Sequence, residues 1–366
     1  MHEAETRATA RRAMEICNAC RYCEGYCAVF PAMELRRTFT DGDLDYLANL
    51  CHDCRGCYYS CQYAPPHEFG VNLPRTFAEL RQVTWVEHAW PRAGARLFAR
   101  NGLVVALAAA LGVALVLLLT MALQPADVLF GVHRAPGAFY VVIPMAAMVA
   151  VAGVTFGFAL LAMLATVVRF WRATGSGGLP RGRPLLRALG DVLTLRNLGG
   201  GGQGCNDVDE GFSQTRRWLH HCLFYGFGLC FASTTVAAGY EHLLGLRAPY
   251  PFWSWPVVLG TLGGLGMVIG TIGLFALKLA GDAAPRAPRL LGADVALLAL
   301  LGMTAATGLV LLALRATGAM GVLLAVHLGF VLALFLAMPY SRFMHGAFRA
   351  AALLRNAMEH EPTDAR

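Results

Sequence analysis

Beyond residue 101 the chain is a succession of long apolar runs separated by short polar ones. Six stretches, 102–123, 138–168, 219–240, 254–277, 295–314 and 316–338, are long enough to cross a hydrocarbon core of about 30 Å as helices. The second is overlong and contains Pro144, which predicts tilt or a kink. The first hundred residues read differently. They mix polar and apolar positions at helical spacing, with a helix expected over 43–50, opened by Asp41 and Gly42, and an amphipathic helix over 74–86. The pattern predicts an all-α protein: a polar helical head, 1–100, on a six-helix transmembrane bundle, 101–345. The bundle carries a long inner loop over 169–218 and is followed by a tail, 346–366.

Composition agrees and removes several function classes. Charged residues are 14% of the chain, against roughly 25% in soluble domains, and mean hydropathy is +0.51. A disordered chain, a secreted disulfide scaffold and a nucleic-acid binder all fit poorly. The head holds 12 Lys/Arg and 12 Asp/Glu, so residues 101–366, with 18 and 11, supply the whole net charge of +7. With the head inside, the inner segments 169–218, 278–294 and 339–366 hold 15 of those basic residues; the outer loops hold only Arg134, Arg247 and Arg315. The positive-inside bias predicts a multi-pass protein of the bacterial inner membrane with both termini and the head in the cytoplasm. The polar N-terminus lacks the apolar core of a signal peptide, which also puts the head in a reducing compartment.

Eight of the eleven cysteines fall in the head. Cys17, Cys20, Cys23 and Cys27 read C-x2-C-x2-C-x3-C, and Cys51, Cys54, Cys57 and Cys61 repeat that spacing 34 residues later. Arg21 and Arg55, and Pro31 and Pro65, keep the same offset, so the segment is an internal duplication. Three cysteines at steps of three wrap one corner of a cubane cluster. In two-cluster ferredoxins the fourth crosses to the other cluster. The spacing therefore predicts one [4Fe–4S] cluster on Cys17, Cys20, Cys23 and Cys61, and a second on Cys51, Cys54, Cys57 and Cys27. Zinc usually takes paired C-x2-C knuckles, and a reducing compartment disfavours disulfides. His52, within the second motif, is expected to tune or shield a cluster rather than ligate it.

Histidines at membrane depth are the second chemical signal, because ionisable groups there are costly. His220 and His221 begin the third span, His242 ends it, His327 lies within the sixth, and His345 follows it. Neutral imidazoles on facing helices would hold haem b from both sides. His327 and His345 are 18 residues apart, five turns at 3.6 residues, hence on one face and about 27 Å apart along the axis. An inner haem is expected at His345 with His220 or His221. A second, outer haem is possible at His327 with His242, the alternative being a buried hydrogen-bonded His327. Cys222 and Cys230 read as packing residues. The glycine run ending in Gly204-Cys205-Asn206 lacks the Lys-Ser/Thr of a P-loop and reads as a close-packing loop between bundle and head. Arg216 and Arg217 are candidates for haem propionates.

The Cys17–Cys27 motif, Pro65-Pro66-His67-Glu68-Phe69, the glycine-rich Gly-Cys-Asn loop and His220-His221, in that order, resemble the tricarballylate/citrate utilisation protein B family (TcuB/CitB) over nearly the whole chain. That resemblance implies a membrane iron–sulfur and haem protein that reoxidises the flavin of a partner tricarballylate dehydrogenase. The membrane half is also similar to the cytochrome b subunit of respiratory nitrate reductase, through His327, His345 and Pro339-Tyr340-Ser341-Arg342. It departs where that subunit has a second histidine, since Cys230 and Phe231 stand there. No hydride-accepting fingerprint or nucleophile triad is present. The reading is an electron-transfer, quinone-reducing subunit that takes electrons from a cytoplasmic FAD-dependent dehydrogenase to the quinone pool. Its rivals are transfer in the reverse direction, from quinol to a cytoplasmic reductase, and a transporter with a regulatory iron–sulfur head.

Overall fold

The head consists of α1 (His2–Cys20), α2 (Val29–Glu34), α3 (Asp41–Leu50), the single turn α4 (Gly56–Tyr59), α5 (Leu73–His88) and α6 (Arg92–Phe98). Helix α3 starts two residues earlier than the periodicity suggests because Thr40 and Asp43 form a capping box. The Thr40 hydroxyl accepts the Asp43 amide at 3.2 Å and the Asp43 carboxylate accepts the Thr40 amide at 3.2 Å. Leu44, Leu47 and Leu50 follow at steps of three and are fully buried against Phe77 and Leu80 of α5 and Met14 of α1. Asn72 caps α5 by accepting the Arg75 amide. The computed structural model describes residues 2–98, 102–175, 177–178 and 182–360, and every regular element among them is helical.

The membrane part contains α7 (Gly102–Leu123), the short α8 (Ala126–Leu129) and α9 (Ala138–Val142), then α10 (Met145–Ala173), α11 (Arg183–Leu193), α12 (Thr215–Leu244), α13 (Trp255–Ala280), α14 (Leu291–Leu314) and α15 (Met320–Ala337). Six of these, α7, α10, α12, α13, α14 and α15, are long and apolar enough to span a membrane. The expected all-α head on a six-helix bundle is borne out.

Two prolines divide what the hydrophobic pattern joins. The second apolar stretch is not one kinked helix. It begins as α9, Ile143 is then extended at φ −126° and ψ 116°, and Pro144 caps α10. A residue before proline is pushed out of the helical region, so the break falls where the sequence requires it. The spanning helix is consequently 145–173 rather than 138–168. At the other end of the bundle α15 stops at Ala337. Single 3-10 turns follow over Met338–Tyr340 and Arg342–Met344, with Ser341 extended between them. His327 and His345 therefore do not lie on one continuous helix, and the five-turn argument for their shared face does not hold.

After that break the chain continues as α16 (His345–Glu359), which packs on the head. Its Ala352 and Leu353 join the core formed by α1, α3 and α5. Ion pairs reinforce this seat: the Arg36 guanidinium bridges Asp43 and Glu359, and Arg355 reaches Asp43 at 3.3 Å. The head also meets the loops at the adjoining end of the bundle, through Tyr59 to Asp282 at 2.8 Å and Arg169 to the Ala89 carbonyl at 3.1 Å.

Helices α12 and α13 are packed backbone to backbone. A β-carbon at Gly263 would stand 2.7 Å from the Cys230 amide nitrogen, and one at Gly270 would stand 2.7 Å from that of Leu223. Small residues give close approach and dispersion contact where lipid supplies no hydrophobic drive between helices. Gly263→Val should therefore lower the thermal midpoint of the detergent-solubilised protein, with an overpacking cost of about 1–3 kcal/mol. Gly157→Ala, which meets nothing within 4 Å, should leave the midpoint unchanged in the same melting experiment.

Candidate metal centres at the junction of head and bundle

The duplicated motif folds as a local pair of like halves. Between the second and third cysteines of each half one arginine takes a left-handed backbone, Arg21 at φ 56° and Arg55 at φ 66°. That conformation is uncommon for a residue with a side chain. Its recurrence at equivalent positions points to a turn that the cysteine spacing demands. Tyr26 and Ser60 are also equivalent, and their hydroxyls hydrogen-bond to one another at 2.7 Å. A residue bonded to its own counterpart is what a two-fold relation produces.

This arrangement regroups the cysteines. Cys17, Cys20, Cys23 and Cys61 line one open cavity, whose wall also includes Cys57 and Tyr63. Burial pushes the Cys17 thiol up to about 12, with the charges of Cys61, Cys23 and Cys20 adding to the effect. Cys27 lies with the other set: its thiol is raised well above the ordinary range by burial, then by Cys54 and Cys51. Cys57 is raised in the same way, by burial and then by Cys54, Cys27 and Cys51. In each half the fourth cysteine has crossed to its neighbour's set. Thiols so crowded ionise with difficulty alone, and a cationic centre that accepts four thiolates relieves both the burial and the mutual repulsion.

The two sets differ in setting. The first is near solvent, with Tyr22 68% exposed and the Gln62 amide 3.6 Å from the Cys20 sulfur. In the second, Cys51 and Cys54 are buried, and three arginines converge on the backbone around them. Arg81 of α5 donates to the carbonyls of Ala48 and Cys51 at 3.0 and 3.2 Å. Arg349 of α16 donates to Cys51 at 2.9 Å. Arg216 of α12 donates to His52 and to Asp53, each at 2.9 Å. Sequence reasoning missed Arg81 and Arg349, which carry no motif. Of the two arginines beside the histidines, Arg216 reaches the head and Arg217 donates to the Thr194 carbonyl. His52 is kept neutral by burial and by Arg349, its Nδ1 2.7 Å from the Leu50 carbonyl.

The glycine-rich loop closes this set from the bundle side, as its composition suggests. The Asn206 amide donates to the Cys54 carbonyl at 2.9 Å, and a β-carbon at Gly201 would stand 2.9 Å from the Tyr26 carbonyl oxygen. Cys205 is fully buried, its thiol donating to the Leu198 carbonyl at 2.9 Å and its sulfur 3.1 Å from the Arg216 guanidinium.

Of the histidines, the fold brings His220 and His345 together, with ring centroids 6.0 Å apart and planes at 74°. His345 Nδ1 lies 2.6 Å from the Arg342 carbonyl, which fixes the proton on Nδ1 and leaves Nε2 with its lone pair. Burial, then Arg349, pushes His345 down to about 4, so it is neutral at pH 7. The other ring, His220, has a buried Nδ1 with no hydrogen-bond partner among the described residues. His221 faces a different way: its Nε2 meets the Thr194 carbonyl at 3.1 Å, and its ring lies against Trp218 and Tyr225. His327 Nδ1 lies 3.2 Å from the Thr307 hydroxyl, and its ring lies against Gly308. His242 is exposed near the far end of α12.

Six spanning helices bearing a duplicated, cysteine-rich helical head define a membrane protein with a ferredoxin-like domain. The chain belongs to the citrate utilisation protein B family, as the order of its motifs suggests. The family described as "Citrate utilization protein B" matches residues 96–366, and the "Citrate utilization protein B Fer4-like domain" matches residues 10–87. The chain is 47% identical over 358 residues to Citrate utilization protein B of Escherichia coli, covering 97% of this chain and 93% of that one. No solved structure matches it.

Burial of Cys205 has a direct readout. In the native protein a maleimide should leave the Cys205 peptide unmodified by mass spectrometry until the chain is unfolded. Gly204 sits at φ 124°, and a β-carbon there would lie 2.4 Å from the Ser213 carbonyl oxygen. Gly204→Val should open the loop and make Cys205 reactive without denaturant.

Proposed function

We propose that this protein carries electrons across the head–bundle junction, from a reduced flavoprotein dehydrogenase in the cytoplasm to the membrane quinone pool. The observation that carries this reading is the regrouping of eight thiols into two sets of four, the inner one tied to the helices that bear His220 and His345. In it Cys17, Cys20, Cys23 and Cys61 hold one [4Fe–4S] cluster, and Cys51, Cys54, Cys57 and Cys27 hold the other. His220 and His345 hold haem b. The 6.0 Å between the His220 and His345 ring centroids leaves room for one metal centre that both rings would hold. When bound, these groups supply one-electron carriers, so that the electron pair of a flavin is passed on singly.

The chain's own residues provide the rest. The capped α3 and the core with α16 keep the cysteine loops rigid. Tyr22 and the open first cavity leave that set accessible to a docking partner, while the arginines and the glycine loop screen the second from water. Arg342 orients His345 through its carbonyl. The positive-inside distribution supports a cytoplasmic head and cytoplasmic termini in a bacterial inner membrane. The relative's name supports a place in citrate utilisation. The dehydrogenase is accordingly one that acts on a tricarboxylate, and tricarballylate is the substrate the family resemblance suggests.

Purified protein should contain about eight irons per chain with matching labile sulfide, besides haem iron, measured by elemental analysis and EPR of the reduced form. Stoichiometric zinc without a cluster signal would sink the cluster reading. Cys61→Ser should chiefly remove the first cluster's signal and Cys27→Ser the second's. A pyridine haemochrome assay should show non-covalent haem, since no C-x-x-C-H motif is present. His345→Ala and His220→Ala should each abolish it and His221→Ala should retain it; full haem in His345→Ala would refute that ligand.

A further inference from the structure

Arginines stand at matching places on the two helices that bear the paired histidines. Arg216 precedes His220 by four residues on α12, and Arg349 follows His345 by four on α16. Residues four apart share a helix face about one turn, roughly 5.4 Å, from each other. Because α12 leaves the head and α16 enters it, both arginines lie one turn nearer the head than their histidines. Both end on the same backbone: Arg216 on the carbonyls of His52 and Asp53, Arg349 on that of Cys51. From Cys51, which bears a thiol of the second set, one hydrogen bond and one helical turn lead to His345. Among the described residues no comparable contact marks the first set, whose Arg21 turns to the Asn18 carbonyl.

We propose that Arg216 and Arg349 are positioning residues that join the second cysteine centre to the histidine pair, and that together with Arg81 they hold that centre at the higher potential of the two. This rests on the cluster reading given above. Positive charge beside a redox centre favours the form with one more electron, and a buried setting screens it little. Three guanidinium groups meet the 48–53 backbone. The carboxylates beside Arg216, Asp207 at 3.3 Å and Asp53 at 4.0 Å, offset only part of this charge. Arg349 has a buried Nε with no hydrogen-bond partner among the described residues, and its guanidinium shares the Cys51 carbonyl with that of Arg81. A four-thiolate centre is anionic and relieves that crowding.

The consequence is an order of carriers. The solvent-near first centre receives electrons from the flavin hydroquinone of the partner. Single electrons would leave the first centre and enter the second, oxidising one and reducing the other with no bond made or broken, and the second set is joined to the histidine-bearing helices through Arg216 and Arg349. The gradient runs inward along the arginines.

The test is an EPR redox titration of the whole protein in detergent, with Cys51→Ser used to identify the second centre's signal. Arg349→Gln and Arg216→Gln should each lower the midpoint of that signal by about 59 mV, a tenfold change in its reduced-to-oxidised ratio at fixed potential. The other signal should stay in place. Arg349→Lys, which keeps the charge, should recover most of the shift. Arg217→Gln, next in sequence but bonded to Thr194, should move neither. A shift of both signals together, a shift of neither, or a Lys variant as low as the Gln variant overturns the proposal. Should the Gln variants fail to fold, Arg349→Lys against wild type decides: a second-centre midpoint lowered by about 59 mV despite the retained charge also overturns it. Wild-type protein without cluster iron fails the underlying cluster reading instead, a result that elemental analysis of the same sample distinguishes.

Discussion

Everything at the junction turns on one short backbone segment, residues 48–53, whose carbonyl oxygens accept from arginines on three helices. A carbonyl at the end of a helix has no partner within that helix. Here Arg81 and Arg349 satisfy carbonyls at the end of α3, and Arg216 satisfies those of His52 and Asp53 just beyond it. Each hydrogen bond to a charged donor is worth about 1.5–3 kcal/mol, and losing the partner would leave a buried polar group exposed to no water. The head is thus held to the bundle at the place where its second cysteine set lies. The same contacts that orient the two parts also decide what charge that set sees.

The duplication makes two sets from one motif, and their surroundings make them unlike. The paired left-handed arginines and the Tyr26–Ser60 bond keep the halves alike in backbone. One half faces solvent through Tyr22 and Gln62; the other faces the bundle, the glycine loop and Cys205. Identical spacing in two dielectric settings produces two different environments.

Rigidity behind the site comes from two kinds of close packing. In the head, α16 completes a core with α1, α3 and α5 and is locked by Arg36, Arg355, Asp43 and Glu359. In the bundle, the glycines of α13 let it lie against α12, so the helix bearing His220 cannot rotate without collision. His345 is placed by a different device. The chain breaks after Ala337 and turns through Ser341, and the Arg342 carbonyl then fixes the ring.

Much of this was legible along the chain. Apolar runs specify membrane spans because lipid admits little else, and repeated cysteine spacing specifies how a loop wraps a polyvalent centre. The capping residues of α3 and the glycine loop follow from local chemistry. What the sequence left open is set by distance in space. Whether His220 or His221 meets His345 depends on the rotation of α12 against α13. The approach of Arg81 and Arg349 depends on α5 and α16 lying either side of one loop. Pro339 and Ser341 decide where α16 begins its new direction, and a periodicity carried through them as one helix places His345 wrongly. Spacing along a chain constrains which atoms share an element; only packing between elements decides which atoms meet.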